Sequence, residues 1–142
     1  MDGDGTQVGV TFISVTRLRV RAAWFLPAFL FWAQRSARQA RRSAGNLGVA
    51  LTRDSHGAFW TKSAWKDEDS MRAFMFAEPH RRAMPKLAHW CDEASVVHWT
   101  QESATLPDWQ EAHRRMVAEG RKSRVKHPSA EHEKFEIAPP KA

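Results

Sequence analysis

Apolar and polar positions follow two rhythms along this chain, one of period two and one of helical period. Their order predicts the fold. Residues 8–18 are β-branched and aromatic and read as a first strand. Val8, Val10 and Phe12 share a face with Ser14, Thr16 and Leu18, while Ile13 and Val15 take the other. Apolar residues on both sides predict a strand covered on both faces. Residues 22–42 follow as a helix, with Pro27 in its opening turns, where a missing N–H costs least. Arg35, Arg38 and Arg42 stand on one side of its last turns, suited to the negative end of the helix dipole, and Gly45 stops it. These arginines read as a solvated basic end.

Residues 47–53 alternate through Leu47, Val49 and Leu51, Asp54 to Gly57 is a turn, and residues 58–65 form a third strand. Strands two and three therefore make a hairpin. Asp67, Glu68 and Asp69 open a second helix with Met71, Phe74 and Met75 as its apolar stripe, and Pro79 ends it. Residues 81–93 predict another helix, 94–101 (ASVVHWTQ) a fourth strand, and 107–119 a last helix. Pro107 starts that helix, Trp109, Ala112 and Met116 point inward, and Gly120 lies just past its end. From Arg121 onward the chain is polar, with Pro128, Pro139 and Pro140.

This order is β-α-β-β-α-β with one extra helix, an α+β, ferredoxin-like arrangement with a four-stranded antiparallel sheet. The expected organisation is a flexible N-terminus (1–7), one domain (8–119) and a polar, disordered tail (120–142). Helices cover one face of such a sheet. The other face also carries apolar side chains, and a second copy of the sheet is the simplest cover, so a homodimer with facing sheets is expected.

Composition narrows the function classes. At 142 residues the chain is one domain's worth, and 42% apolar residues suffice for a core. Cys91 is the only cysteine, which forbids an internal disulfide or a multi-thiolate zinc site and fits a reducing, cytoplasmic setting. Tyrosine is absent, which excludes phenol chemistry by the protein itself. The net charge of +6 permits anionic partners and equally suits solubility. Residues 22–33, AAWFLPAFLFWA, make an apolar run behind Arg17, Arg19 and Arg21. A spanning helix needs about 20 such residues, so no transmembrane segment is expected. A helix buried on most of its faces is expected instead, with an interfacial membrane helix as the alternative. GxGxxG, Walker, GxSxG and HExxH motifs are all absent, which leaves phosphate-cradle and hydrolase functions without support.

The segment WKDEDSMRAFMFAEPHRRAMPKLAHW (65–90) resembles the central motif of the dimeric α/β-barrel superfamily: a strand ending in tryptophan, an acidic turn opening a helix, and a histidine after it. VVHWTQESATLPDWQEAHRRM (96–116) is similar to an uncharacterised branch of that superfamily, in which a Pro-initiated helix follows the last strand. The resemblance covers about residues 8–119. It implies a dimeric barrel like that of the antibiotic-biosynthesis monooxygenases, which need no cofactor. Haem proteins, among them spheroidene monooxygenase-like enzymes, share the superfamily, so the resemblance predicts no cofactor and admits haem. It implies an apolar cyclic or aromatic substrate held in a barrel cavity, losing a proton so that its anion reduces oxygen. Trp65 matches the family's strand-end tryptophan.

Two histidines are the catalytic candidates. His98 alternates with Trp99, so one faces the helices and the other the chamber roofed by the second copy. A polar residue sits more easily in a ligand chamber than in an apolar layer, which assigns His98 to the chamber. His80 heads a row with Met84, Leu87 and Cys91; it serves either as a general base or as a cap for the helix junction. Trp60, Trp65, Trp99 and Arg53 are the ligand-binding candidates, with core packing as the rival role of the tryptophans. His80, His89 and His98 recur every nine residues, which is no ligand spacing on one helix, so no metal site is predicted. A non-catalytic accessory or scaffold dimer is the second reading. An RNA-binding module is the third: HGAFWTKSAW (56–65) shares only the strand-three aromatics of RNA-recognition motifs. No DNA partner is indicated.

Overall fold

A computed structural model describes residues 10–141. The expected flexible segment 1–7 and the first strand residue Val8 lie outside the described residues. Five strands form one antiparallel sheet: β1 (Thr11–Val20), β2 (Asn46–Arg53), β3 (Phe59–Trp65), β4 (Cys91–Gln101) and β5 (Arg121–Lys122). Their order is β2-β3-β1-β4-β5. The first four strands are the ferredoxin-like core expected from the alternation, and β5 is a short addition beside β4.

Three helices lie on one face: α1 (Leu26–Arg42), α2 (Glu68–Met75) and α3 (His80–Trp90). A single 3-10 turn, Ala23–Phe25, leads into α1, and Pro27 occupies its first turn. Asp67 caps α2 by accepting from the Ser70 N–H at 2.8 Å. Gly45, at φ 86°, ends the loop after α1 in the left-handed region, and a Cβ there would strike Ser70. α3 stops at Trp90 rather than continuing to residue 93, because Cys91 to Glu93 are drawn into β4 opposite Val20 and Arg19.

On the other face lie α4 (Trp109–Glu119) and α5 (Ala130–Lys134). Ile13, Val15, Trp60, Ala64, Val97 and Trp99 of the sheet pack there against Ala112 and Met116, with Phe135 and Ile137 closing the edge. This corrects two expectations. The face expected to be bare is covered by Ala112, Met116, Phe135 and Ile137 of the same chain, so covering it does not itself require a second copy. The segment after Gly120 is not a loose tail. Its N–H groups on Ser123, Lys126 and Ser129 donate to carbonyls of Ala94, Ala88 and Asp92 at 2.8–3.0 Å, and Lys141 donates to Arg53. Few apolar residues sufficed, because Phe135 and Ile137 fall where the core is open.

A buried charge cluster sits in the same layer. Arg17, 1% exposed, follows Ile13 and Val15 on the inward face of β1. Its Nε donates to Asp54 at 2.8 Å and its Nη1 to Glu93 at 2.6 Å. Asp54 also accepts from Trp60 Nε1 and from the N–H groups of His56 and Ala58. Nearby, Lys62 donates to the Pro107 carbonyl at 2.7 Å with its ammonium over the Trp109 ring.

α1 departs from expectation. Only Phe29 and Ala40 are fully buried; Trp24, Leu30 and Phe31 face outward. One flank meets the sheet and another meets α3, which leaves its outer side without cover.

Candidate active site

Between the helical face of the sheet and helices α1–α3 lies a cavity of about 650 Å³. Its floor comes from strand positions of one alternation phase: Ser14, Thr16 and Leu18 of β1, Thr61 and Ser63 of β3, Val96 and His98 of β4. Its roof comes from Phe29, Trp32 and Ala33 of α1, Met71, Phe74 and Met75 of α2, and His80, Met84 and Leu87 of α3. The walls are apolar, the floor carries four hydroxyls, and among the described residues no carboxylate lines it. Leu30, Leu51, Arg53, Met84, Arg121 and Arg124 are exposed at its rim.

His98 lies opposite Ser14 in the β1–β4 register, half-buried, with its ring 5.2 Å from that of Phe12. It faces the helices, and Trp99 faces the opposite layer; the expected orientation of this pair is reversed. The apolar helix–sheet layer accepts the imidazole because it is not closely filled there. Burial lowers the pKa of His98, Arg121 and Arg72 lower it further, and Glu68 opposes them.

His80 enters from the roof. Its N–H donates to Gln39 Oε1 at 2.8 Å, which ties the start of α3 to the end of α1. Its Nδ1 lies 3.3 Å from the Met75 carbonyl, a contact that places the proton on Nδ1 and leaves Nε2 free. The ring is 4.5 Å from Phe74. Burial lowers its pKa, and the Met75 hydrogen bond only partly opposes this. Both imidazoles are therefore neutral near pH 7.

The other candidates divide. Arg53 reaches the rim, its guanidinium 4.6 Å over the Phe59 ring. Trp65 is fully buried behind the wall: it donates to Ser63 Oγ at 2.9 Å and stacks on Phe74, so it sets two lining residues without lining the cavity itself. Trp60 and Trp99 point into the opposite layer, Trp60 onto Asp54 and Trp99 beneath the Arg115 guanidinium. Cys91 is buried, and burial together with Asp92 pushes its thiol up to about 12, a value unsuited to nucleophilic work. Among the described residues no group of three or more His, Cys, Asp or Glu could hold a metal ion, and no helix is long and apolar enough to cross a membrane.

Arg121 and Arg124 were missed by sequence reasoning. They sit in the segment expected to be mobile, and a two-residue strand carries no alternation signal. Arg17 had a signal, since it continues the Ile13, Val15 phase of β1.

Several solved structures share this fold. A conserved protein from Methanosarcina mazei is 14% identical with a TM-score of 0.58, covering 67% of this chain and 96% of its own. A protein from Pseudomonas aeruginosa is 14% identical with a TM-score of 0.59, covering 68% and 98%. An antibiotic biosynthesis monooxygenase is 18% identical with a TM-score of 0.55, covering 62% and 95%. At such identities the likeness establishes the fold, and it is the monooxygenase-like α/β fold that the sequence resembles. No curated protein matches the chain. A family model does match, over residues 22–121, which hold α1 to α4, the three strands β2, β3 and β4, and most of the cavity wall. The chain thus belongs to the DUF3291 family, described as a domain of unknown function.

Proposed function

We propose that this chain is a monooxygenase-like small-molecule enzyme. Its substrate is an apolar ring compound with an ionisable oxygen, held between the sheet and α1–α3. The observation that carries this reading is the cavity, with greasy walls, a hydroxyl floor, two neutral imidazoles on opposite sides and cations at the rim. Burying the ring against these walls supplies roughly 25 cal/mol per Å² of apolar surface. In this reading His98 takes a proton from the ring, since a neutral imidazole is a base near pH 7. Arg121, whose charge reaches His98, stabilises the anion formed. The floor hydroxyls of Ser14, Thr16, Thr61 and Ser63 orient the ring oxygen. An electron-rich anion of this kind reduces dioxygen itself: one oxygen atom enters as a ring carbonyl at a former methylene, and the other leaves as water. The shared fold with an antibiotic biosynthesis monooxygenase supports this chemistry.

One observation favours a second reading in the same cavity. With Nδ1 bonded to the Met75 carbonyl, His80 keeps Nε2 free, and this nitrogen would hold a haem iron. The apolar walls and the rim arginines Arg53, Arg121 and Arg124 fit a macrocycle and its carboxylates. Haem would supply an iron centre for oxygen chemistry; the chain would hold it and exclude water.

The chamber lies within one chain, so a homodimer is not needed to enclose it. Oxygen uptake with an anthrone, a polycyclic ring ketone that ionises through its ring methylene, tests the proposal. His98→Gln and His80→Gln should each slow turnover, and His98→Gln by about 100-fold or more. Unchanged turnover in both variants removes the proposed roles. A Soret band in the purified protein, lost in His80→Gln, selects the haem reading.

A further inference from the structure

We propose that the outer face of α1 and α3 docks on an anionic lipid bilayer. The two helices run side by side and antiparallel: Phe25, just before α1, meets His89, Lys86 sits over Trp32, and Gln39 bonds to His80. Residues 22–42 and 80–90 contain no aspartate or glutamate. They do carry Arg35, Arg38, Arg41, Arg42, Lys86 and the Arg81–Arg82 pair, and among the described residues only Arg82 is engaged by a neighbouring carboxylate, that of Glu78. A solvated helix face ordinarily mixes both signs, so a face of one sign points to an opposite charge as its partner.

The same row carries exposed aromatics. Trp24, Phe31, Arg35, Arg38 and Arg42 follow helical spacing along the outer side, with Trp24 77% and Phe31 55% exposed. Aromatics at one end and cations along the rest form an interfacial pattern: rings enter the headgroup–acyl boundary while guanidinium groups meet lipid phosphates. Single-stranded nucleic acid would match the charge and stacks its bases on exposed rings, but the Arg35 guanidinium already lies 5.4 Å over the Phe31 ring, which does not leave that face open to a base. Leu30 and Met84, on the two helices, are exposed at the cavity rim, so the docked face carries the cavity mouth toward the lipid. The docking itself does not depend on what the cavity holds.

Co-sedimentation of the full chain with phosphatidylcholine vesicles, with and without roughly 30% phosphatidylglycerol, tests this. Binding is expected to the anionic vesicles only. Arg38→Glu combined with Arg42→Glu should lower the partition coefficient at least about tenfold. Trp24→Ser should lower it and reduce tryptophan quenching by brominated lipid. Arg114→Glu, on α4 beneath the opposite face of the sheet, should change it little. All four residues are exposed, and an unchanged far-ultraviolet circular dichroism spectrum with a cooperative urea transition confirms that each variant is folded. No binding, equal binding to both vesicle types, or full binding by the double variant overturns the proposal. So does single-stranded RNA binding that the double variant loses, in the absence of vesicle binding.

Discussion

His80 and His98 reach the same cavity from opposite walls, His80 from the first turn of α3 and His98 from the middle of β4. Neither is placed by adjacent residues alone. Gln39 and the Met75 carbonyl hold His80, and the strand register opposite Ser14 holds His98. Both are kept neutral chiefly by burial. A ligand between them would meet a base on either side.

The depressed imidazoles make stability depend on pH with a definite sign. Both folded-state pKa values lie below the ordinary histidine value of about 6.5, so the unfolded chain takes up protons first on acidification. Stability is complete above about pH 6.5 and is lost as pH falls through that value toward the lowered folded ones. Denaturant midpoints should be lower at about pH 5.5 than at about pH 7.5. The difference should shrink in His80→Phe without vanishing, because His98 and His132 are shifted the same way.

The thiol of Cys91 should be inert. It is buried at the start of β4 with its pKa raised to about 12. Alkylation of the native protein at mildly alkaline pH should be negligible, and stoichiometric once urea unfolds the chain. Rapid labelling of the folded protein would contradict its placement.

The Arg17 cluster should be the most sensitive polar site in the core. Removing one partner leaves the others charged and buried, and Asp54→Ala should cost about 3–5 kcal/mol, read from the denaturant midpoint. Replacing Arg17, Asp54 and Glu93 together by apolar residues should cost less than the sum of the single changes. The cluster also links to acid stability. Burial alone would raise the Asp54 pKa, but hydrogen bonds from Trp60, Arg17 and Ala58 outweigh it and the net shift is downward. Its contribution is therefore present above about pH 4 and is lost as pH falls below that.

Much of this was readable in the chain. The alternation through Ile13, Val15 and Leu47, Val49, Leu51 predicted real strands, and the ferredoxin-like order followed from it. His80, His98 and Arg53 do line one cavity. Long-range placement was not readable. Phe135 and Ile137 look like stray apolar residues in a polar tail, and only the completed sheet shows the gap they fill. The same gap led to the expectation of a facing second copy. The direction of His98 was misjudged because a polar residue was assumed to avoid the helical layer, and that layer contains the cavity. Trp60, Trp65 and Trp99 illustrate the limit of composition: all three are core, and a buried indole looks the same in sequence as a binding one.

The most direct measurement is fluorescence titration of the folded protein with anilinonaphthalene sulfonate, an apolar ring system bearing one anionic group, beside the Val96→Trp variant. Val96 lies on the cavity floor opposite Thr16, and an indole there fills the space between sheet and roof. Wild type should bind one dye per chain, saturably and independently of protein concentration, while a folded Val96→Trp should bind none. Absence of a saturable site in the wild type, or equal binding by the filled variant, would contradict a ligand chamber between the sheet and α1–α3.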